Sequence, residues 1–187
     1  MTITIRTATR AAVFAAVLGL GPALAMQNPM VGGAPMLADR NIVENAVNSA
    51  DHTTLVAAVQ AAGLADALQA EGPMTVFAPI DAAFEALPPG TVETLLQPGN
   101  RAMLQRILTS HVVAGNLSGA EIMRRAGASR DGFFHMQTLS GAPLSAQVVG
   151  QNLWIQDQSG NAGRVTIGDV TQSNGVIHVV DTVLLPR

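Results

Sequence analysis

The sequence contains no cysteine, no lysine and no tyrosine. Without cysteine there is no disulfide, no thiolate metal site, no cysteine nucleophile, no iron–sulfur cluster and no acylated-cysteine membrane anchor. All ten cationic side chains are arginine. Aromatic residues make up 3% of the chain, with a single Trp, so any aromatic binding platform is small. Charged residues are 12%, about half the usual share. A net charge of −3 argues against a nucleic-acid partner, which requires a basic face. What the chain does have is apolar content, 48%, which excludes disorder as its main state. Its 187 residues correspond to one domain.

The N-terminus reads as a targeting segment. Arg6 and Arg10 precede the apolar run AAVFAAVLGL, Gly21-Pro22 breaks it, and Ala23-Leu24-Ala25 follows. A basic start, a short apolar stretch and an A-x-A site predict a secretory signal peptide over residues 1–25, cut after Ala25. The alternative, an uncleaved anchor, needs roughly 20 apolar residues, more than this run supplies. Cleavage removes two arginines and no acid, leaving a net charge of −5 on 162 residues. A domain of that size buries about 70% of its unfolded surface and needs no disulfide to be stable. Residues 26–38, rich in Met, Pro and Gly without a period, predict a flexible linker: a tail without function, or a tether. The domain proper is expected over 39–187.

Helical periodicity dominates the first half of that domain. Ile42, Val43, Ala46 and Val47, then Leu55, Val56, Val59 and Ala62, repeat at helical spacing, with Thr53 or Thr54 as N-cap and Gly63 as the stop. Met74–Ala78 is a strand signal ended by Pro79. Asp81 is placed to cap the short helix that follows, and Thr91 the next. From Asn100, Leu104, Ile107, Leu108 and His111 predict a helix with His111 on its apolar stripe. Ser118 and Glu121 form a capping-box pattern for a further helix. After Gly132 the period changes to two, with strand candidates at 133–139, 144–149, 153–157, 163–170 and 176–185. Helices first and strands afterwards predict an α+β fold. The last strand is apolar on both faces and should be central and covered on both sides, which makes His178 and Asp181 polar groups in need of partners.

Three segments resemble the fasciclin (FAS1) family. TVFAPIDAAFEALPPGTVETLL, Thr75 to Leu96, is similar to its N-terminal conserved block. ILTSHVVAGNLS, Ile107 to Ser118, stands at the position of its Tyr-His motif. NGVIHVVDTVLLP, Asn174 to Pro186, is similar to its C-terminal block, and QTLSGAPLSAQ, Gln137 to Gln147, to its middle region. The resemblance spans about residues 40–186. It implies a β-wedge of two packed sheets flanked by N-terminal and central helices, and a non-enzymatic, extracytoplasmic adhesion or interaction module. Asp81, His111, Asn174, Gly175, His178 and Asp181 are the motif residues carried over. Ser110 stands where the family usually has Tyr, and Ile80 where it often has Thr. The Tyr-His mode of adhesion is therefore not carried over.

The candidate sites divide into structural and surface groups. Asp81, His111 and His178 are each the lone polar group at an apolar or capping position. They are expected to join sequence-distant blocks through buried hydrogen bonds, a part in a partner surface being the alternative for His111. Ser110 and His111 project about 100° apart on a helix, and no G-x-S-x-G elbow occurs, so no hydrolase triad is predicted. His52, His111, His135 and His178 form no H-x-H or H-E-x-x-H pattern, and Asp169 and Asp181 lack calcium-loop spacing. No metal or nucleotide cofactor is implied. Arg101, Arg106, Arg124, Arg125 and Arg130 form either ordinary solvated faces or a patch for anionic glycans or lipid headgroups. The turn Leu87-Pro88-Pro89-Gly90 is a candidate exposed apolar contact. The leading expectation is an exported adhesion module, periplasmic or at the cell surface, whose partner is a surface protein, a matrix polymer or a second copy. The alternative is a periplasmic carrier of a small apolar ligand in a cleft between wedge and helices, with Met103, Met123 and Met136 as candidate lining.

Overall fold

The computed structural model describes residues 28–70 and 72–186; the targeting segment expected over 1–25 lies outside them. The chain first makes a short antiparallel pair, β1 (Met30–Val31) and β2 (Ala34–Pro35). Three helices follow, α1 (Ile42–Ala46), α2 (Thr53–Ala62) and α3 (Ala65–Gln69). Strand β3 (Met74–Pro79) leads to α4 (Asp81–Glu85), α5 (Thr91–Leu95) and α6 (Arg101–Thr109). After β4 (Val112–Ala114) and α7 (Gly119–Ala128) come β5 (Phe133–Gln137), β6 (Pro143–Val149), β7 (Asn152–Gln156), β8 (Ala162–Gln172) and β9 (Gly175–Val180).

Seven strands run in the order β4-β3-β9-β8-β7-β6-β5. The long strand β8 joins the two halves. Its start pairs with β7 through Ala162–Arg164, and its remainder pairs with β9 from Val165 to Gln172. Register shifts on either side of Ile167 interrupt that second ladder. Bulges of this kind bend a strand and raise its twist. At the far ends, Val113 of β4 bridges to Thr138 just after β5, so the sheet nearly closes on itself. The result is the expected α+β wedge, with its two halves sharing β8.

Strand β9 pairs parallel with β3 and antiparallel with β8, and every residue in it is buried. Alternation along β3 and β9 then feeds two cores. Val76, Ala78, Ile177 and Val179 face the helices α1, α2 and α6; Phe77 and Val180 face the wedge interior with Leu144, Ile155 and Ile122 of α7.

Several local expectations change. Within the segment 26–38 expected as a linker, Val31 and Met36 are buried in the helix-side core, on either side of the β1–β2 turn. The final strand ends at Val180, five residues short of the expected limit at 185, and continues as an irregular segment that still buries Val183 and Leu184. Strand β4 was hidden in the sequence, since its three residues continue directly from the helix pattern. Gly90 rather than Thr91 stands at the N-cap of α5.

Candidate functional site

The motif residues are spread along the chain, and the fold ties each to a distant stretch of backbone. Asp81 does not cap its own helix. It is the first residue of α4, and its carboxylate instead accepts from the backbone N–H groups of Thr53 (3.2 Å) and Thr54 (2.8 Å) and from the Thr53 hydroxyl (2.6 Å). It thus serves as the N-terminal cap of α2, whose own N-cap position, His52, makes no side-chain cap bond. Partial burial works against its charge, but the hydrogen bonds from Thr53 and Thr54 outweigh it and hold the carboxyl below the usual carboxylate range. The two Thr53 bonds are exposed and the Thr54 bond is part-buried, where a buried set was expected.

His111 lies beyond the end of α6, in the turn into β4, and not on the helix stripe. Its Nδ1–H donates to the Ile107 carbonyl at 2.9 Å, and its Nε2 accepts from the Leu184 N–H at 2.9 Å. Burial pushes its pKa down to about 4, against the opposing pull of the Ile107 carbonyl and the Asp157 charge. His178 uses the opposite tautomer. Its Nε2–H donates to the Leu117 carbonyl (2.8 Å), its Nδ1 accepts from the Asp169 N–H (3.2 Å), and its ring stacks on Phe77. Burial lowers its pKa as well. Both imidazoles are neutral spacers with each nitrogen committed to the main chain.

Asn174 accepts from the Ile42 N–H and donates to the carbonyls of Leu68 and Ala70, joining α1, the end of α3 and the β8–β9 turn. Gly175 sits against β3 so closely that a Cβ there would lie 2.0 Å from the Met74 carbonyl oxygen. Asp181, just past β9, accepts from the Arg164 N–H at 2.8 Å. Ser110 is buried, and its hydroxyl donates to the Ile107 carbonyl.

Sequence reasoning missed three partners of this framework. Asp157 is buried and accepts from the N–H groups of Ser159, Asn161 and Leu185. Its Asp-x-Ser-Gly-Asn turn was a readable signal for the first two bonds, not the third. Thr75 receives the Leu117 N–H and donates to the Gly115 carbonyl. Asn45 binds both Leu37 backbone groups and the Gln172 side chain.

Four of the five arginines divide between two helices. Arg101 and Arg106 lie on α6, which packs against α2, while Arg124 and Arg125 lie on α7, which packs against β5 and β6. Arg101 donates to the Ala62 carbonyl at the end of α2. Arg124 and Arg125 both engage Glu121, whose carboxyl they hold down at about 2, and Arg125 also lies over the Phe134 ring. Arg130 is exposed after α7.

A cavity of about 290 Å³ opens between α1, α2 and α3 on one side and β3, β4 and the end of α6 on the other. Its walls include Val43, Val47, Val56, Leu68, Leu108 and Val112, with Gln60 and Gln69 among the few polar lining residues. None of the expected methionines lines it: Met103 and Met123 are exposed, and Met136 is buried in the wedge core. Among the described residues, no group of three or more metal-ligating side chains is placed to hold an ion. Nor is any helix among them long and apolar enough to cross a membrane.

The fold is a nearly closed α+β wedge flanked by helices, with the side chains of its motif blocks bonded to backbone. The fasciclin domain profile matches residues 50–186, and the chain belongs to that family. It is 41% identical to Protein sll1483 of Synechocystis sp., over 97% of this chain and 98% of that protein. It is 34% identical to the cell surface glycolipoprotein MPB83 of Mycobacterium bovis, over 97% of this chain and 78% of that protein. Its fold is similar to the FAS1 domain pair of the insect cell adhesion molecule fasciclin I, with a TM-score of 0.57 at 22% identity, over 68% of this chain and 42% of that one.

Proposed function

We propose that this protein is exported and works as a non-catalytic interaction module at the cell surface or in the extracellular matrix. One observation carries the reading. The buried polar side chains of the motif blocks, His111, His178 and Asn174, commit their hydrogen bonds to the chain's own backbone. No nucleophile–base pair is left among them, and a partner meets the surface. The relatives support the same direction, one named as a cell surface glycolipoprotein and one as a cell adhesion molecule. The signal-peptide pattern of residues 1–25 supports export. The test is retention of the labelled protein on intact cells and on immobilised matrix polymers, beside a folded acidic protein of similar size. Saturable retention above that control is expected, and retention equal to it overturns the reading. Weakening by salt would assign the contact to the arginines. Intact-mass measurement of the exported chain should give a first residue of Met26.

The apolar cavity favours a second reading, a periplasmic carrier of a small apolar ligand. Its size and lining suit a preformed small-molecule site. Native mass spectrometry of the gently purified protein should then show a bound apolar molecule, absent from a Leu68→Trp variant. A protein that stays empty after incubation with a whole-lipid extract is no carrier.

A further inference from the structure

A second concavity lies on the other side of the sheet from the apolar cavity's helices, between the start of α7, the middle of β8 and the β6–β7 turn. Asp169 is one of its lining residues. It follows Gly168 in the irregular stretch of β8, and with φ of 57° it is the one non-glycine residue in the left-handed region among the described residues. Such backbone is unfavourable for a residue with a side chain and persists where the surroundings enforce it. Here the N–H of Asp169 meets His178, while its Oδ1 accepts from the Gly119 N–H at 2.7 Å, at the first turn of α7. A Cβ on Gly119 would lie 3.1 Å from Oδ2, so glycine lets the carboxylate settle against the helix. The strain therefore holds one carboxylate at a fixed height, with Oδ2 making no hydrogen bond to any described residue.

The rest of the concavity has two characters. The side chains of Gln151 and Asn152 are exposed and make no hydrogen bond to any described residue. Against them lie Met123, Leu153 and Val165, an apolar floor. The volume is about 250 Å³. An acceptor-only carboxylate, two amides that both donate and accept, and an apolar floor match a ring with hydroxyls on its edge and C–H groups on its face. A simple cation is a poorer match. The only acid lining the concavity is Asp169, and its charge is already partly answered by the positive end of α7.

We infer that this concavity binds one sugar unit of a hydroxyl-rich glycan, with Asp169, Gln151 and Asn152 taking the hydroxyls and Met123, Leu153 and Val165 taking the ring face. The inference deepens the interaction reading by giving the partner a chemistry. Its test does not depend on cell retention. The full-length, 15N-labelled chain is titrated by NMR with the methyl glycosides of glucose, galactose, mannose and N-acetylglucosamine, and separately with methylammonium chloride. At least one glycoside should shift the amides of Gly119, Leu153 and Asp169 saturably at millimolar concentration. Asn152→Ala should weaken that binding about tenfold, the equivalent of one lost hydrogen bond. Asp169→Asn keeps an acceptor for the Gly119 N–H and tolerates the left-handed backbone, so it folds and should weaken binding by a similar factor. No saturable shift with any glycoside overturns the site, as does equal affinity in both variants. Saturable binding of methylammonium as tight as the best glycoside overturns it too. Retention on cells without glycoside binding would sink this site alone, and glycoside binding without retention would sink the adhesion reading alone.

Discussion

At the residue scale, the two central histidines act through neutrality. His111 must be unprotonated at Nε2 to accept from Leu184, and His178 at Nδ1 to accept from Asp169. The folded pKa of His111, about 4, lies below the ordinary 6.5, so between those values the unfolded chain binds the proton more readily. Stability from this residue is then complete above pH 6.5 and declines as pH falls toward 4, by about 3 kcal/mol. Urea midpoints measured across that range should fall with acidification, and His111→Gln should flatten the slope. A slope unchanged in the variant would show that other groups cause it. His178→Ala should lower the unfolding free energy by about 1–3 kcal/mol at neutral pH, read as a fall in the urea midpoint, because the Leu117 carbonyl and Asp169 N–H lose their partner. That these residues are internal was legible from their apolar surroundings in sequence. Their partners were not, since Leu184 and Leu117 lie 73 and 61 residues away.

At the element scale, α2 and β9 show how one element completes another. Helix α2 begins without a cap of its own and receives one from Asp81 on α4. Asp81→Ala should therefore cost about 1 kcal/mol and increase hydrogen exchange at Thr53 and Thr54, at the start of α2 and not within α4. Faster exchange confined to α4 would contradict the cross-capping. Strand β9 needs Gly175 opposite Met74 to bring the parallel pair into register. Gly175→Ala places a methyl against backbone that cannot turn aside, and a loss of about 1–3 kcal/mol is expected in thermal unfolding. An unchanged melting temperature would mean that β3 and β9 can move apart freely. Sequence periodicity located nearly every helix and strand. The exceptions, β1, β2 and β4, span two or three residues each, too short for any period to register.

At the scale of the whole molecule, residues 31–37 contribute to the fold. Met36 is buried in the helix-side core, and the backbone of Leu37 is held by Asn45. Met36→Ala should cost about 2–5 kcal/mol in urea denaturation, a loss that a dangling linker could not produce. Closure of the wedge through the Val113–Thr138 bridge and the sharing of β8 make two cores from one sheet. The apolar cavity takes its walls from α1, α2, α3, β3, β4 and the end of α6; the polar one takes its walls from α7, β8, β9 and the β6–β7 turn.

The composition, the periods and the spaced motif blocks were sufficient by themselves for the α+β class, the family, the central position of the last strand and the absence of cysteine-based chemistry. These follow from local backbone preference and from which faces must leave water, both written along the chain. The hydrogen-bond partners of Asp81, His111 and His178, the division of four arginines between two helices, the burial of Val31 and Met36 and both concavities were decided only by the tertiary structure. Each depends on which distant backbone groups and side chains arrive at the same place, and short-range periodicity carries no record of that.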